Sequence, residues 1–77
     1  MVISHTGPVP LWRQIEAIIR ARIESGEYPP DTAIPSLVML TEEFGVAEVT
    51  VQKAVNVLKA EGILVGSPGR GTYVVGR

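Results

Sequence analysis

The stretch from Leu37 to Ala60 constrains this 77-residue chain more than any other. Leu37, Leu40 and Phe44 are spaced three and four apart, which places them on one face of a helix. Gly45 follows, a residue that can take the left-handed backbone needed to stop that helix. A second helical period begins beyond it with Val51, Ala54, Val55 and Leu58. Two short helices meeting at a glycine turn make a helix-turn-helix, with Val46 placed to fill the angle between them. In such a unit the second helix is the one offered to the major groove of DNA. The stretch from Ala47 to Ala60 is therefore expected to be a reading helix.

The flanking segments complete one small domain. From Leu11 the apolar positions run Leu11, Ile15, Ile18, Ile19 and Ile23, a helix with a single buried stripe that Gly26 ends. Pro8 and Pro10 keep its approach extended, and Pro10 suits the first turn, where a missing N–H costs nothing. Glu16 and Arg20 stand four apart in the favourable order, worth about 0.3 kcal/mol. The segment from Glu27 to Pro35 reads as a connector, because Pro29, Pro30 and Pro35 deny it a helix and Asp31 favours a turn. Tyr28 and Ile34 are its expected anchors to the core, and Ser36 stands where a helix N-cap belongs. After Gly62, Ile63–Val65 and Thr72–Val75 read as strands around a glycine-rich turn from Gly66 to Gly71. The expected fold class is α+β, mainly α: a three-helix winged helix-turn-helix with a C-terminal two-stranded β-hairpin wing. The domain should occupy residues 8–75, with a loose N-terminal end at 1–7 and a short C-terminal end at 76–77.

Composition narrows the chemistry. An apolar fraction of 45% suffices for a core, and no apolar run approaches the roughly 20 residues that cross a bilayer, so no membrane partner is expected. With one histidine, His5 in the loose end, and no cysteine, the chain cannot build a metal site of usual ligand number. Neither a nucleophile–base pair nor a pocketed pair of carboxylates is visible, and the Gly69-Arg70-Gly71 turn is not followed by a helix as a phosphate loop requires. No enzyme activity and no cofactor are expected. The net charge of −1 works against binding nucleic acid, since phosphate neutralisation drives affinity. From Ala47 to Thr72, however, Lys53, Lys59 and Arg70 outnumber Glu48 and Glu61 by one.

An ordered set of segments resembles the DNA-binding domain of the GntR family. It comprises Pro10-Leu11-Trp12-Arg13-Gln14-Ile15, Ser25-Gly26-Glu27-Tyr28-Pro29-Pro30-Asp31, Ile34-Pro35-Ser36 and Glu43-Phe44-Gly45-Val46. Thr50-Val51-Gln52-Lys53-Ala54-Val55, Glu61-Gly62 and Pro68-Gly69-Arg70-Gly71-Thr72-Tyr73-Val74 continue it, so that nearly all of residues 8–75 is covered. The resemblance implies a bacterial, cytoplasmic transcription regulator, usually a repressor, that binds double-stranded DNA at palindromic sites as a homodimer. Members of the family also carry a C-terminal domain for effector binding and dimerisation. Without it these residues are expected to bring no small-molecule effector of their own, whether the chain is a fragment or a minimal protein. The family's basic contacts are depleted here: Val38, Glu48 and Gln52 occupy positions that are usually arginine, and Ala47 replaces a hydroxyl cap.

The expected DNA-contacting residues are Ser36, Glu48, Val49, Thr50, Gln52, Lys53, Asn56, Gly69 and Arg70. At about 100° per residue, Val49, Gln52, Lys53 and Asn56 cluster opposite the buried face of the reading helix. A merely solvated face would look the same, but within the ordered resemblance groove contact is the better reading. Gln52 and Asn56 carry the amides that pair bidentately with adenine, Val49 can meet a thymine methyl, and Lys53 suits a phosphate. Glu48 can accept from a cytosine amino group, or it can simply complement the helix dipole for about 0.5 kcal/mol; the residues leave both open. Arg70 is either a solvated turn charge or, between glycines that let backbone approach a duplex, a minor-groove or phosphate contact. Beside sequence-specific regulation stand two alternatives: a winged helix turned to protein binding through exposed Val38 and Val49, and a DNA-binding accessory factor without a regulatory role.

Overall fold

The computed structural model describes residue 3 and residues 6–76. The expectations for His5, for most of the N-terminal end and for Arg77 fall outside them, while Ile3 packs against the core. Three helices, α1 (Leu11–Glu24), α2 (Leu37–Phe44) and α3 (Glu48–Ala60), are followed by strands β1 (Leu64–Ser67) and β2 (Gly71–Val74). This is the winged helix-turn-helix that the apolar periods predict.

Each helix boundary has a local cause. Pro10 is the N-cap of α1 rather than a member of its first turn. Its ψ of 148° is extended, and its carbonyl accepts from Arg13 and Gln14 N–H at 3.1 and 3.2 Å. The Ser36 hydroxyl accepts from Met39 N–H at 3.2 Å and caps α2 as expected, a bond worth about 1 kcal/mol. Gly45 ends α2 with φ +63°, and its N–H donates to the Thr41 carbonyl at 2.9 Å. Only two residues, Gly45 and Val46, separate α2 from the Ala47 cap of α3, so the left-handed step sets the angle between the two helices.

One core serves all the elements. Ile15, Ile19, Leu40, Val51 and Leu58 are fully enclosed, and Ile18, Phe44, Ala54 and Val55 join them. Tyr28 and Ile34 anchor the connector to this core, and Leu64 and Val74 bring in the wing. Ile23, expected inside, lies half-buried near the end of α1, packed against the core from its edge. No polar or charged side chain is buried among the described residues.

The sheet departs from its sequence reading in two ways. The strands are shifted toward the turn: β1 takes in Gly66 and Ser67, β2 begins at Gly71, and Ile63 and Val75 fall outside. Glycine composition suggests turn, yet glycine backbone carries the same N–H and C=O and can pair in a ladder. At Gly66 a Cβ would sit 3.1 Å from Lys59 Nζ, the far end of a side chain reaching over from α3. The connector, in turn, pairs with β2. Asp31 N–H donates to the Val74 carbonyl, Val74 N–H to Thr32 and Ile34 N–H to Thr72, each at 2.9 Å. This third edge ties the middle of the chain to its wing.

Leu58 of α3 is fully enclosed in the core. Leu58→Ala is expected to lower unfolding free energy by about 2–5 kcal/mol, read by urea or thermal denaturation; an unchanged melting curve would contradict this packing.

Candidate nucleic-acid interface

The placement of α3 begins with which of its faces is buried. Val51, Ala54, Val55 and Leu58 face α1 and α2, so Glu48, Val49, Lys53 and Asn56 are turned outward and exposed. Val49 is 74% exposed and Val38, on α2, 61%. Gln52 and Thr50 are half-buried on the flanks of the display. At this level the expected reading face is assembled on one helix. Ser36 belongs to α2 instead, where its hydroxyl accepts from Met39 N–H as the N-cap.

Two side-chain contacts qualify the chemistry of that face. Gln52 Nε2 donates to Asn56 Oδ1 at 2.9 Å, so the two amides form one hydrogen-bonded unit rather than two independent readers. The pair sits at i, i+4 on the helix, a spacing that makes side chains neighbours and is worth about 0.2–0.5 kcal/mol. The Lys53 ammonium lies 4.9 Å from the centroid of the Trp12 ring, a cation–π contact that joins α3 to the start of α1. Sequence reasoning missed Trp12; nothing in the spacing of residues 12 and 53 links them. Glu48 has no hydrogen-bond or ion-pair partner among the described residues, so its acceptors face outward unused.

The wing supplies a second surface. Pro68 and Gly69 occupy the central positions of a turn in which the Ser67 carbonyl accepts from Arg70 N–H at 3.0 Å. Gly69 has φ +76°, the left-handed value that the residue after proline takes in a type II turn. Arg70 is thereby exposed at the tip, and it shares a groove with Lys59 of α3. Lys59 is a second residue that sequence reasoning counted only as charge.

The remaining charges hold the helices that carry this surface. Arg20 Nη2 donates to Glu61 Oε2 at 2.8 Å and to Glu16 Oε1 at 3.0 Å, fastening α1 to the end of α3. Arg22 Nη1 donates to the Tyr28 hydroxyl at 2.7 Å and to Glu43 Oε1 at 3.0 Å, and its second amino group also meets Glu43. Its guanidinium also stands 5.5 Å from the Phe44 ring centroid. The hydrogen bonds from Arg22 hold the Glu43 carboxyl below the usual carboxylate range, against a smaller opposing effect of burial. Among the described residues no group of acidic, histidine or cysteine side chains could hold a metal, and no helix is long and apolar enough to cross a membrane.

Three helices, an outward-facing α3 and a cationic hairpin define a winged helix-turn-helix domain of the kind found in transcription regulators. The chain belongs to the GntR family of bacterial regulatory proteins, whose profile matches residues 11–74; it is a family of regulators, not of enzymes. It is 38% identical over 74 residues to the transcriptional repressor NagR of Bacillus subtilis, covering 96% of this chain and 30% of that protein. It is 46% identical over 68 residues to the mannosyl-D-glycerate transport/metabolism system repressor MngR of Escherichia coli, covering 88% of this chain and 28% of that one. The chain thus spans under a third of the length of these curated relatives. Among solved structures, the DNA-binding domain of AraR bound to an operator superimposes with a TM-score of 0.87 at 32% identity, covering 94% of this chain and 93% of that one. YtrA of Sulfolobus acidocaldarius, a GntR-family transcription factor, gives 0.83 at 35% identity over 97% of this chain and 78% of its own.

The Arg22–Glu43 clamp generates a pH signature. A carboxyl whose folded-state pKa is depressed contributes stability above its unfolded value, and that stability is lost as pH falls through the folded one. Melting temperatures of the wild type and Glu43→Gln are expected to differ at neutral pH and to converge as pH falls through the depressed folded-state pKa of Glu43. A gap that stays constant into acid would show that Glu43 acts through packing instead.

Proposed function

We propose that this chain is the operator-reading domain of a transcriptional repressor, with α3 in the major groove and the wing against the adjacent backbone or minor groove. The observation that carries this reading is the groove shared by Lys59 of α3 and Arg70 of the wing. It sets two cations at the junction of helix and hairpin, where a phosphate backbone leaving the major groove would pass. Gln52, Asn56, Val49 and Glu48 then supply amides, a methyl-seeking side chain and an acceptor to base edges. Thr50 and Ser36 lie close enough in sequence to the helix starts to add hydroxyl contacts to phosphate, and Gly69 lets the turn approach the duplex.

The net charge of −1 is compatible with this role because the acids are unevenly used. Glu61, which sequence counting sets against the reading region, is bonded to Arg20, so Glu48 alone opposes Lys53, Lys59 and Arg70 there. That supports sequence-specific binding with a weak non-specific component. NagR and MngR are named as repressors and the AraR domain was solved on its operator, which supports the repressor assignment by kinship. Pairing of two copies on a palindromic site is part of the proposal, since operator symmetry mirrors protein symmetry.

Selection from a random duplex pool, followed by mobility shifts at varied salt, tests the reading; failure to enrich any sequence overturns it. Within that experiment Arg70→Ala is expected to weaken binding to all duplexes alike and to lower the salt slope by about one. Loss at a single base position would make Arg70 a base reader instead. Glu48→Arg is expected to bind random DNA more tightly and with steeper salt dependence, while preference at one base pair is lost or switched. If affinity and preference both stay unchanged in Glu48→Arg, α3 does not lie in the groove.

A further inference from the structure

A shallow cleft of about 360 Å³ opens where the start of α2 meets the start of α3, lined by Leu37, Glu48, Val49 and Gln52. Its walls are of two kinds. Leu37 and Val49 present hydrocarbon, and Val49 is the most exposed of the large apolar side chains at 74%. Beside them stands Glu48, whose carboxylate engages no partner among the described residues. Single exposed valines are ordinary, but one that walls a cleft with a second apolar residue and an unused acceptor is a recognition feature.

In the major groove, the edge that suits both walls belongs to pyrimidines. The C5-methyl is the apolar group exposed there, and cytosine N4 offers a donor, whereas thymine O4 is an acceptor that a carboxylate repels. Phosphate is excluded from the lip of the cleft by the same negative charge, so this cleft is not a backbone contact. Resting on the operator-reading role above, we propose that the cleft receives a pyrimidine 5-methyl group while Glu48 accepts a hydrogen bond from a cytosine N4 amino group. The methyl has two sources in DNA: a thymine next to that cytosine, or the cytosine itself when methylated at C5. With a carboxylate at Glu48, where the family usually carries arginine, and Val49 beside it, this end of α3 reads a methyl and an amino group rather than guanine.

The test uses the 77-residue chain and the best duplex enriched from a random pool. Each thymine is replaced in turn by deoxyuridine, which deletes the methyl and keeps every hydrogen bond. One position should bind about three- to fivefold more weakly, as expected for one methyl withdrawn from an apolar contact. Val49→Ala should make the thymine and uridine duplexes bind alike at that position. The variant is conservative for folding, since Val49 lies on the helix surface and alanine favours helix. A flat uridine scan joined to a several-fold gain on 5-methylcytosine, erased by Val49→Ala, supports the cleft with the second source. A chain that enriches a sequence but ignores both methyl groups overturns the cleft alone. One that enriches none overturns the cleft together with the operator-reading role.

Discussion

The packing of α1 across α3 is the constraint on which the rest of the structure depends. Ile15, Ile18 and Ile19 meet Val51, Ala54, Val55 and Leu58, and no polar side chain interrupts the seam. Burying one side chain of this kind is worth about 1.5–3 kcal/mol, so the seam outweighs any single surface contact. Because α3 turns these residues inward, its opposite side must face solvent. What stabilises the domain thus also fixes which residues α3 displays. Gly45 serves the same end, since its left-handed backbone lets α2 close over the seam from a second direction.

Electrostatics divides the molecule by task. Arg20 and Arg22 are spent on structure, each bonded to two acidic residues around the base of the helices. Such partly exposed pairs contribute modestly to stability, but their geometry ties α1 to the end of α3 and to α2. Lys59 and Arg70 have no acidic partner among the described residues and lie together beside the wing. An acidic protein thus keeps a cationic edge beside its wing. Lys53 is intermediate: its ammonium rests over Trp12 in the free domain and remains exposed, so it keeps access to a ligand.

The wing shows how backbone pairing reaches across the chain. Asp31, Thr32 and Ile34 bond to β2, so the segment ahead of the helix-turn-helix and the hairpin after it form one unit. Asp31 holds φ +64°, and its carboxylate crowds the place where a Cβ on Gly76 would sit, so both residues are fitted to this junction. The tip at Gly69 and Arg70 projects from a base braced on two sides.

The order of elements, the core face of each helix, the Ser36 cap and the Gly45 turn were legible in the sequence. Helical periodicity and capping are local, recurring over three or four residues, and a chain of this length carries little else. The outward set Val49, Lys53 and Asn56 was legible for the same reason, being the complement of the buried stripe, whereas Gln52 lies half-buried at its flank. Tertiary structure alone decided the pairings between distant residues: Lys53 on Trp12, Arg20 with Glu61, Arg22 with Glu43, and the connector with β2. It also decided that Gly66 belongs to a strand, because its ladder partner, Thr72, lies across the hairpin. Local sequence sets what a segment can become; which charges are left free to meet a ligand depends on what folding brings beside them.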